Sequence, residues 1–392
     1  MRNVVIVAGC RTPIGTIGGQ FKSLTSLDLS IPVMQNLIQR SGIDPAMIED
    51  VIWGCNYQRT YKENNLARVA AVKAGLPVTV PGITIHRNCT SSMSAVQMGF
   101  YQIKSGEADC IMAGGADSMS TAPHMVFNAR YGQKYGHMEM RDSMWDSLTN
   151  LGVGPAMGIT AENVAEKYDV TREQMDAYSL RSQKRAVEAM DAGRFEEEII
   201  PVVVSSRKGD IAYTVDEYPK RDATIEGLQK LKPAFKEGGK VTAGNASGMN
   251  DASSGVILME EEKAKELGVP ILARVVSVAT TGVEPELMGI GPISATQKAL
   301  EKAGLTIEDI DLFEINEAFA SQCLACQKAL GIPDEKLNVN GGGISLGHPV
   351  GATGSRIIIS LMYEMRRRGN RYGVATLCAG GGMGTAVIIE AC

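Results

Sequence analysis

Two stretches of the sequence decide the fold: Asp50–Asn56 (DVIWGCN) and Asp311–Asn316 (DLFEIN). Each begins with an acidic residue, alternates apolar positions and ends in asparagine, as a strand entering a polar turn does. Farther along, Cys110–Met119 (CIMAGGADSM) is echoed by Leu377–Met383 (LCAGGGM). The matching segments keep their order, at offsets between 256 and 266 residues. The chain therefore contains a weak internal duplication.

Each repeat alternates apolar runs with amphipathic runs, which predicts an α/β fold with a largely parallel, covered sheet. The segment between the repeats differs, being rich in Tyr, Met, His and charge, with helical stretches at Ala161–Tyr168 and Arg172–Met190. We predict an N-terminal core half (1–120 plus 250–270), a loop or cap domain (121–249) and a C-terminal core half (271–392). Such an insertion is a suitable place to hold a large substrate.

Composition and charge argue against several classes of function. The 392 residues are 44% hydrophobic and 21% charged, typical of a soluble globular protein of two or three domain-sized units. A net charge of −5 with no basic block argues against nucleic-acid binding. Eight cysteines without framework spacing predict a reduced, cytoplasmic location, and four histidines leave little scope for a His-built metal site. The apolar Met1–Cys10 is followed at once by Arg11–Pro13 and lacks a small-residue cleavage site, so it predicts a buried first strand and not a leader segment. No membrane span is predicted, because glycines interrupt the one long uncharged run, Tyr372–Ile389.

The first candidate for chemistry is Cys89, which follows a predicted strand, Pro81–His86, and precedes an amphipathic helix that Gly106 ends. At such a turn, unpaired backbone N–H groups and the helix dipole favour a thiolate. Taken alone, a lone cysteine is more often a buried structural residue.

His348 strengthens the functional interpretation. It lies 259 residues after Cys89, in Asn340–Pro349 (NGGGISLGHP). This segment predicts a second strand and turn entering a helix. Equivalent turns of two repeats would bring thiol and imidazole together at the carboxyl edge of the sheet. Histidine is the natural group to take a thiol proton. A surface histidine in a polar turn is the alternative.

Two further motifs follow predicted strands. Cys378 precedes Gly380 and further glycines, which permit close approach of a ligand and expose N–H donors suited to an oxyanion hole, although such turns also occur for packing. Asn316 closes the strand Asp311–Ile315, and its amide could position a water or an oxyanion or simply cap a turn. The C-x-x-C pair, Cys323 and Cys326, is interpreted as core packing.

Basic residues are scattered through the inserted segment, where they form a solvated face or meet the phosphates of a nucleotide-bearing substrate. They are Lys208, Lys220, Arg221, Lys230, Lys232 and Lys236.

At these positions the chain resembles the thiolases, and most closely the short-chain acetyl-CoA acetyltransferases, from end to end. The resemblance rests on motifs that are specific in combination, namely Asn88–Ser92, Thr160–Asn163, Ala243–Gly248, Asn316–Phe319, Gly347–Pro349 and Cys378–Gly381. It implies a duplicated, five-layered α-β-α-β-α core with an inserted loop domain that holds coenzyme A. It also implies acyl exchange between thioesters without redox cofactor or metal, with acetyl-CoA, acetoacetyl-CoA and coenzyme A as partners, in a homodimer or homotetramer.

The resemblance also implies roles. Cys89 is the nucleophile that becomes acetylated, His348 activates it, and Cys378 is the acid/base for the α-proton of the second acetyl group. Asn316, through a water, joins His348 in one oxyanion hole, and the N–H groups of Cys89 and Gly380 form the other. Further residues match positions that bind coenzyme A or line the acyl groove: Ser247, Met157, Met288, Phe235, Ala243, Ala318, Phe319 and Arg221.

His86, Thr90, Ala156 and the segment Asp251–Ser254 depart from the usual family pattern, and none of them removes a catalytic group. Two other functions compete with short-chain acetyl transfer. One is a broad-range 3-ketoacyl-CoA thiolase, and the other is a non-catalytic acyl-CoA or lipid carrier, which would be expected to lose a reactive group. The sequence leaves the physiological direction of the reaction open.

Overall fold

The computed structural model describes residues 2–58, 62–207 and 209–392. Its strands are β1 (Val4–Arg11), β2 (Gly15–Thr16), β3 (Asp50–Gly54), β4 (Gly82–Ile85), β5 (Cys110–Ser118), β6 (His124–Val126), β7 (Met140–Asp142), β8 (Val202–Ser206), β9 (Gly209–Tyr213), β10 (Asn250–Glu260), β11 (Ala273–Gly282), β12 (Leu312–Ile315), β13 (Tyr372–Ala379) and β14 (Met383–Ala391). Its α-helices are α1 (Ser26–Ser41), α2 (Leu66–Ala74), α3 (Ser91–Ser105), α4 (Ser143–Thr149), α5 (Met157–Lys167), α6 (Arg172–Asp191), α7 (Ile225–Gln229), α8 (Glu261–Leu267), α9 (Gly291–Ala303), α10 (Ala320–Leu330), α11 (Gly343–Leu346) and α12 (Thr353–Arg368).

One large sheet runs through the described part of the chain, and the same strand pattern occurs twice in it. The order is β12-β13-β14-β11-β1-β10-β5-β3-β4, with β2 beside β10. In the first repeat β3 pairs in parallel with β5, and β10 then lies antiparallel between β5 and β1. In the second, β12 is parallel to β13, and β14 lies antiparallel between β13 and β11. Three antiparallel residue pairs between β1 and β11 join the two repeats.

The α/β prediction is confirmed, but the expected largely parallel sheet is wrong. Most strand pairs in the described sheet are antiparallel, including β13 with β14. The reason is local, because only the turn Gly380–Gly382 separates β13 from β14, and two strands joined so closely form an antiparallel hairpin.

Helices cover both faces of the sheet in layers. Helices α1 and α2 pack outside the first repeat, and α9 and α10 pack outside the second. Between the repeats lie α3 and α12, which contact each other and bury residues such as Met93 and Ile357 in a shared apolar core. This is the α-β-α-β-α layering that the resemblance implied. The boundaries chosen for the three domains remain a prediction.

Most local predictions agree with the structure. The predicted first strand is β1, and the two helical stretches of the insertion are α5 and α6. Helix α3 ends at Gly106, whose φ of +85° is the left-handed conformation that glycine accepts without strain. Among the described residues, no helix is both long and apolar enough to cross a membrane.

The segment Asn340–Pro349 is not the simple strand and turn that was predicted, because it contains the short helix α11. The carboxylate of Glu317 accepts the N–H of Ile344 at 3.1 Å and so satisfies the first turn of this helix. Gly347, with a φ of +103°, then redirects the chain toward His348. The partner that stabilises α11 is distant in sequence, so local patterning could not reveal it.

Candidate active site

Cys89 lies, as predicted, in the turn between β4 and α3. Asn88 adopts a left-handed backbone with a φ of +46°, and its carbonyl accepts both the N–H of Ser91 at 3.0 Å and the Ser91 hydroxyl at 2.7 Å. These contacts fold the turn tightly, and Cys89 remains only partly buried.

The second repeat meets this turn through Gly380. The Asn88 side-chain amide donates to the carbonyl oxygen of Gly380 at 2.7 Å. The backbone N–H groups of Gly380 and of Cys89 itself lie close enough to the Cys89 sulphur to lower the pKa of its thiol. The two donors predicted for an oxyanion hole thus converge on the reactive atom. The anchoring role of Asn88 was not predicted, although the residue belongs to the motif.

The expected thiolate character of Cys89 is wrong for the resting protein. Burial raises the pKa of the Cys89 thiol to about 11, and the negative charge of Asp117 adds to this effect. The two N–H donors offset only part of it. Cys89 is consequently a neutral thiol near pH 7 and needs a base before it can act as a nucleophile.

His348 is buried in the turn that leads into α12. Its Nδ1 lies 2.7 Å from the Thr353 hydroxyl, and its main-chain N–H donates to the Asn250 side chain at 2.9 Å. Burial, aided by the positive charge of Arg356, lowers the pKa of the imidazole to about 3. A neutral histidine able to accept a proton is therefore present.

Asp117 ties the histidine turn to the first repeat. Its carboxylate at the end of β5 accepts the N–H of Gly351 at 2.6 Å and the N–H of Tyr57 at 3.0 Å. Val350, two residues beyond His348, packs in the same apolar group as Cys89. The turns that carry thiol and imidazole are thus fastened together. Asp117 was not predicted, and its only signal in the sequence was its place in the repeated motif.

Cys378 is buried at the end of β13, two residues before Gly380. Burial raises its pKa well above the ordinary value, and the neighbouring Cys89 raises it further. The two thiols are thus close enough that ionising one opposes ionising the other. Ionisation of both thiols at once is therefore disfavoured, which suits a site where they act in turn.

Asn316 follows β12, and its amide nitrogen lies 3.5 Å from each ring nitrogen of His348. Its Oδ1 is buried and has no hydrogen-bond partner among the described residues, so it is available to a ligand. The next residue, Glu317, fixes this turn by accepting hydrogen bonds from Tyr178 (3.0 Å), Ser182 (2.6 Å) and Asn338 (3.0 Å). Glu317 was also missed.

An apolar group surrounds Cys378 and contains four of the predicted groove residues. Its members are Ala161, Val241, Ala246, Met288, Ala318, Phe319 and Cys378, with Met157 packed against them. Ser247 donates its N–H to the carbonyl of Ala318 at 2.9 Å, and the ring of Phe235 meets Phe319 edge-on at 6.2 Å. Most of the predicted groove therefore gathers beside the second thiol.

Two predicted residues lie apart from this group. Ala243 is exposed in a turn, and Arg221 pairs with Asp191 at the surface. Lys208 lies outside the described residues. A contact that the prediction missed is Leu151, since a Cβ added to Gly380 would come within 2.8 Å of its side chain. The loop that carries Leu151 has no periodic pattern that could have marked it.

The C-x-x-C pair is buried on α10, as predicted for core residues. Cys326 donates its S–H to the carbonyl of Gly289 at 3.4 Å. Within the described part of the chain, no group of three or more His, Cys, Asp or Glu side chains is arranged to hold a metal ion.

Two family models match the chain: the thiolase N-terminal domain over residues 4–262 and the thiolase C-terminal domain over residues 269–391. The chain belongs to the thiolase family. It is accordingly an enzyme of the thiolase type.

Similar thiolases are found among curated proteins and solved structures. An acetyl-CoA acetyltransferase of Syntrophomonas wolfei is 50% identical over 395 residues, covering 100% of this chain and 99% of the relative. The crystal structure of the Bacillus anthracis acetyl-CoA acetyltransferase is 48% identical with a TM-score of 0.98, covering 100% and 99% of the two chains. Human mitochondrial 3-ketoacyl-CoA thiolase in complex with CoA is 43% identical with a TM-score of 0.96, covering 100% and 98%.

Proposed function

We propose that this enzyme condenses two acetyl-CoA molecules to acetoacetyl-CoA and coenzyme A, and catalyses the reverse thiolysis, through an acetyl-Cys89 intermediate. The observation that carries this proposal is the convergence of the Gly380 and Cys89 N–H groups on the Cys89 sulphur, beside a second thiol, Cys378. The similar acetyl-CoA acetyltransferases support the choice of substrate.

In the first half-reaction, His348 removes the proton of Cys89, and the thiolate attacks the carbonyl carbon of acetyl-CoA. The N–H groups of Cys89 and Gly380 stabilise the oxyanion that forms on the carbonyl oxygen. Collapse of this intermediate breaks the bond to coenzyme A, whose sulphur leaves with the proton held by His348. The products are acetyl-Cys89 and free coenzyme A.

In the second half-reaction, His348 takes the proton of Cys378, and the Cys378 thiolate then takes an α-proton from a second acetyl-CoA. The amide of Asn316 (through a water) and the protonated imidazole of His348 stabilise the enolate oxygen. The new carbanion attacks acetyl-Cys89 and expels the Cys89 thiolate, forming the carbon–carbon bond, and the proton held by His348 passes to Cys89. Overall, the α-proton replaces the one that Cys89 gave to the departing coenzyme A, so no redox cofactor or metal is required.

Groove contacts follow from the same proposal. Met157, Met288, Ala318, Phe319 and Phe235 would line the path of the pantetheine and acyl groups, with Ser247 beside them, as their gathering near Cys378 supports. Ala243 and Arg221 would lie nearer the nucleotide end of coenzyme A. Their exposure is compatible with such a place.

A second function deserves a direct test. A broad-range 3-ketoacyl-CoA thiolase is favoured by the similarity to the human mitochondrial enzyme of that name. The two proposals differ in the acyl lengths they accept, so thiolysis measured with four-, six- and eight-carbon 3-ketoacyl-CoA substrates separates them. Equal kcat/KM for all three would favour the broad-range enzyme.

We also propose that the enzyme works in lipid metabolism, in the cytoplasm, as a homodimer or homotetramer. All eight cysteines are free, which supports a reducing compartment. Large apolar side chains such as Phe127 and Trp145 are exposed on the inserted segment, which supports association between copies.

The decisive experiment is mass spectrometry of the intact protein after mixing with acetyl-CoA. The enzyme should gain the mass of one acetyl group, located on the Cys89 peptide, and the Cys89→Ala variant should gain none. A non-catalytic carrier would leave the mass of both proteins unchanged. Acetoacetyl-CoA formation, followed by its ultraviolet absorbance, then completes the test.

A further inference from the structure

Thr353, the first residue of α12, is fully buried, and its hydroxyl lies between two polar atoms. One is Nδ1 of His348 at 2.7 Å, and the other is the carbonyl oxygen of Pro349 at 2.9 Å. Neither the family motifs quoted above nor the groove includes this residue. Because its hydroxyl contacts Nδ1, Thr353 influences which nitrogen of the His348 ring carries the proton.

A buried neutral imidazole carries one N–H, on either Nδ1 or Nε2, and the hydrogen bond made by one nitrogen decides the state of the other. A threonine hydroxyl has a single hydrogen. Directed at the Pro349 carbonyl, it leaves the oxygen lone pairs facing Nδ1, where they can only accept. The amide nitrogen of Asn316 is 3.5 Å from both ring nitrogens, at the limit of a hydrogen bond, and therefore does not choose between them.

We propose that Thr353 is a positioning residue that holds the proton of His348 on Nδ1, so that the Nε2 lone pair is free to take the proton of Cys89. This inference rests on the proposed role of His348 as the base. When the Cys89 proton arrives on Nε2, the ring becomes an imidazolium with two N–H donors. The Thr353 oxygen then accepts from the Nδ1 side, as a second hydrogen-bond partner does for other functional histidines.

The surroundings of the His348 ring oppose its charged form, so an acceptor at Nδ1 is needed to stabilise the imidazolium. The imidazolium forms in a buried place, near the positive charge of Arg356, and both features oppose it. The guanidinium of Arg356 lies 3.9 Å from the carboxylate of Glu314, and its nitrogens have no hydrogen-bond partner among the described residues. A fixed oxygen dipole at Nδ1 stabilises the charged form of the ring against these effects.

The first test reads the tautomer directly, by nitrogen-15 NMR of protein labelled at histidine. The chain has four histidines, and of these His348 alone is buried, so its ring signals should not titrate between pH 5 and 8 and should be missing from the spectrum of His348→Asn. We expect a protonated Nδ1 and an unprotonated Nε2 for His348. The opposite pattern, with the proton on Nε2 and Thr353 donating to Nδ1, would overturn the inference.

The second test compares Thr353→Val, which keeps the shape and removes the hydroxyl, with Thr353→Ser, which keeps the hydroxyl. In Thr353→Val the rate of Cys89 acetylation should fall roughly 10- to 100-fold, as when a second hydrogen-bond partner is removed from a functional histidine. KM should stay near the wild-type value, because the buried residue does not reach coenzyme A. Thr353→Ser should recover most of the rate, and its NMR signals should keep the Nδ1 proton.

His348→Asn separates this inference from the proposed function. Wild-type acetylation in His348→Asn would show that His348 is not the base, and the proposed mechanism would fail. Acetylation lost in His348→Asn but unchanged in Thr353→Val would overturn the role of Thr353 alone. Equal losses in Thr353→Val and Thr353→Ser would mean that packing at the start of α12, and not the hydroxyl, matters.

Discussion

Cys89 and His348 form an uncharged pair in the resting protein, because burial acts oppositely on an acid and a base. It raises the pKa of the Cys89 thiol to about 11 and lowers that of the His348 imidazole to about 3. Proton transfer within the pair is therefore unfavourable until a substrate carbonyl is present to share the charge. The N–H groups of Cys89 and Gly380 then stabilise the negative charge that develops on the carbonyl oxygen.

The alkylation of Cys89 by iodoacetamide should consequently rise with pH. Below the thiol pKa, the thiolate fraction grows about tenfold per pH unit, so the rate should still be rising at pH 9. The measurement is peptide mass spectrometry of Cys89, which distinguishes it from the exposed Cys392. A rate that levels off near pH 7 would indicate a thiolate–imidazolium pair and contradict the prediction.

Cys378→Ala should separate the two half-reactions. Acetylation needs a nucleophile and its base, whereas carbon–carbon bond formation also needs removal of an α-proton. The variant should still become acetylated on Cys89 yet lose condensation by roughly 10²- to 10⁴-fold, the usual contribution of general base catalysis. Cys89→Ala, the matched control, should lose both steps. Near-normal condensation by Cys378→Ala would show that another group is the base.

Met288→Ala should widen the range of acyl chains. Met288 is buried beside Cys378 with Met157 packed against the group, so a tail longer than acetoacetyl would overlap these side chains. Relief of about 1.4 kcal/mol of overlap would raise kcat/KM for 3-ketohexanoyl-CoA about tenfold relative to acetoacetyl-CoA. Met98→Ala, at an exposed position on α3, is the control. A wild-type enzyme that already prefers six carbons would contradict this.

At the scale of the elements, a buried ion network connects β1 to the inserted segment. Arg11, at the end of β1, contacts Glu198 at 2.7 Å and Asp216 at 2.7 Å and 2.9 Å, and all three side chains are buried. Its guanidinium also lies 5.3 Å from the ring centre of Phe195. These contacts connect the first strand to two loops that flank α6 and the β8–β9 hairpin.

Arg11→Met should lower the free energy of unfolding by about 3–5 kcal/mol, because it leaves two buried carboxylates without a cation. Urea unfolding followed by circular dichroism measures the change. Lys263→Met, which removes an exposed ion pair with Glu266, should cost no more than about 1 kcal/mol. Similar losses in the two variants would show that the buried network contributes little.

Local patterns predicted the elements whose determinants are local. The period of apolar residues marked α3 and α12, Gly106 marked the end of α3, and apolar runs marked the strands β1 and β4. Helix α11 was missed because its first turn is satisfied by Glu317, a partner from another element. In the site, Cys89, His348, Cys378 and Asn316 were predicted because each lies in a local sequence motif. The contact between Thr353 and Nδ1 and the anchoring by Asp117 depend on tertiary distances that no single stretch encodes.

At the scale of the whole molecule, the segment around the β6–β7 hairpin is unusually apolar for a surface. Tyr131 and Tyr135 are 88% and 94% exposed, and Phe127, Met140 and Trp145 are exposed as well. A cluster of this kind on a folded protein marks an association surface. We expect the wild-type protein to sediment as a dimer or tetramer.

The double variant Phe127→Glu/Tyr131→Glu should shift the assembly to a smaller species, since charge placed in an apolar interface opposes association. Sedimentation velocity measures this shift. Val203→Glu, at an exposed position on the β8–β9 hairpin, is the matched control and should leave the assembly unchanged. A wild-type monomer, or equal effects of both changes, would contradict the prediction.

The two repeats that meet at the β1–β11 junction supply different side chains to one active site. Cys89 and His348 precede the two central helices, α3 and α12, at corresponding places in the two repeats. Two identical chains related by a twofold axis would present the same side chain at both places, thiol facing thiol or imidazole facing imidazole. A nucleophile facing its own base thus requires broken symmetry, and a fused chain supplies it, because each copy can mutate without changing the other.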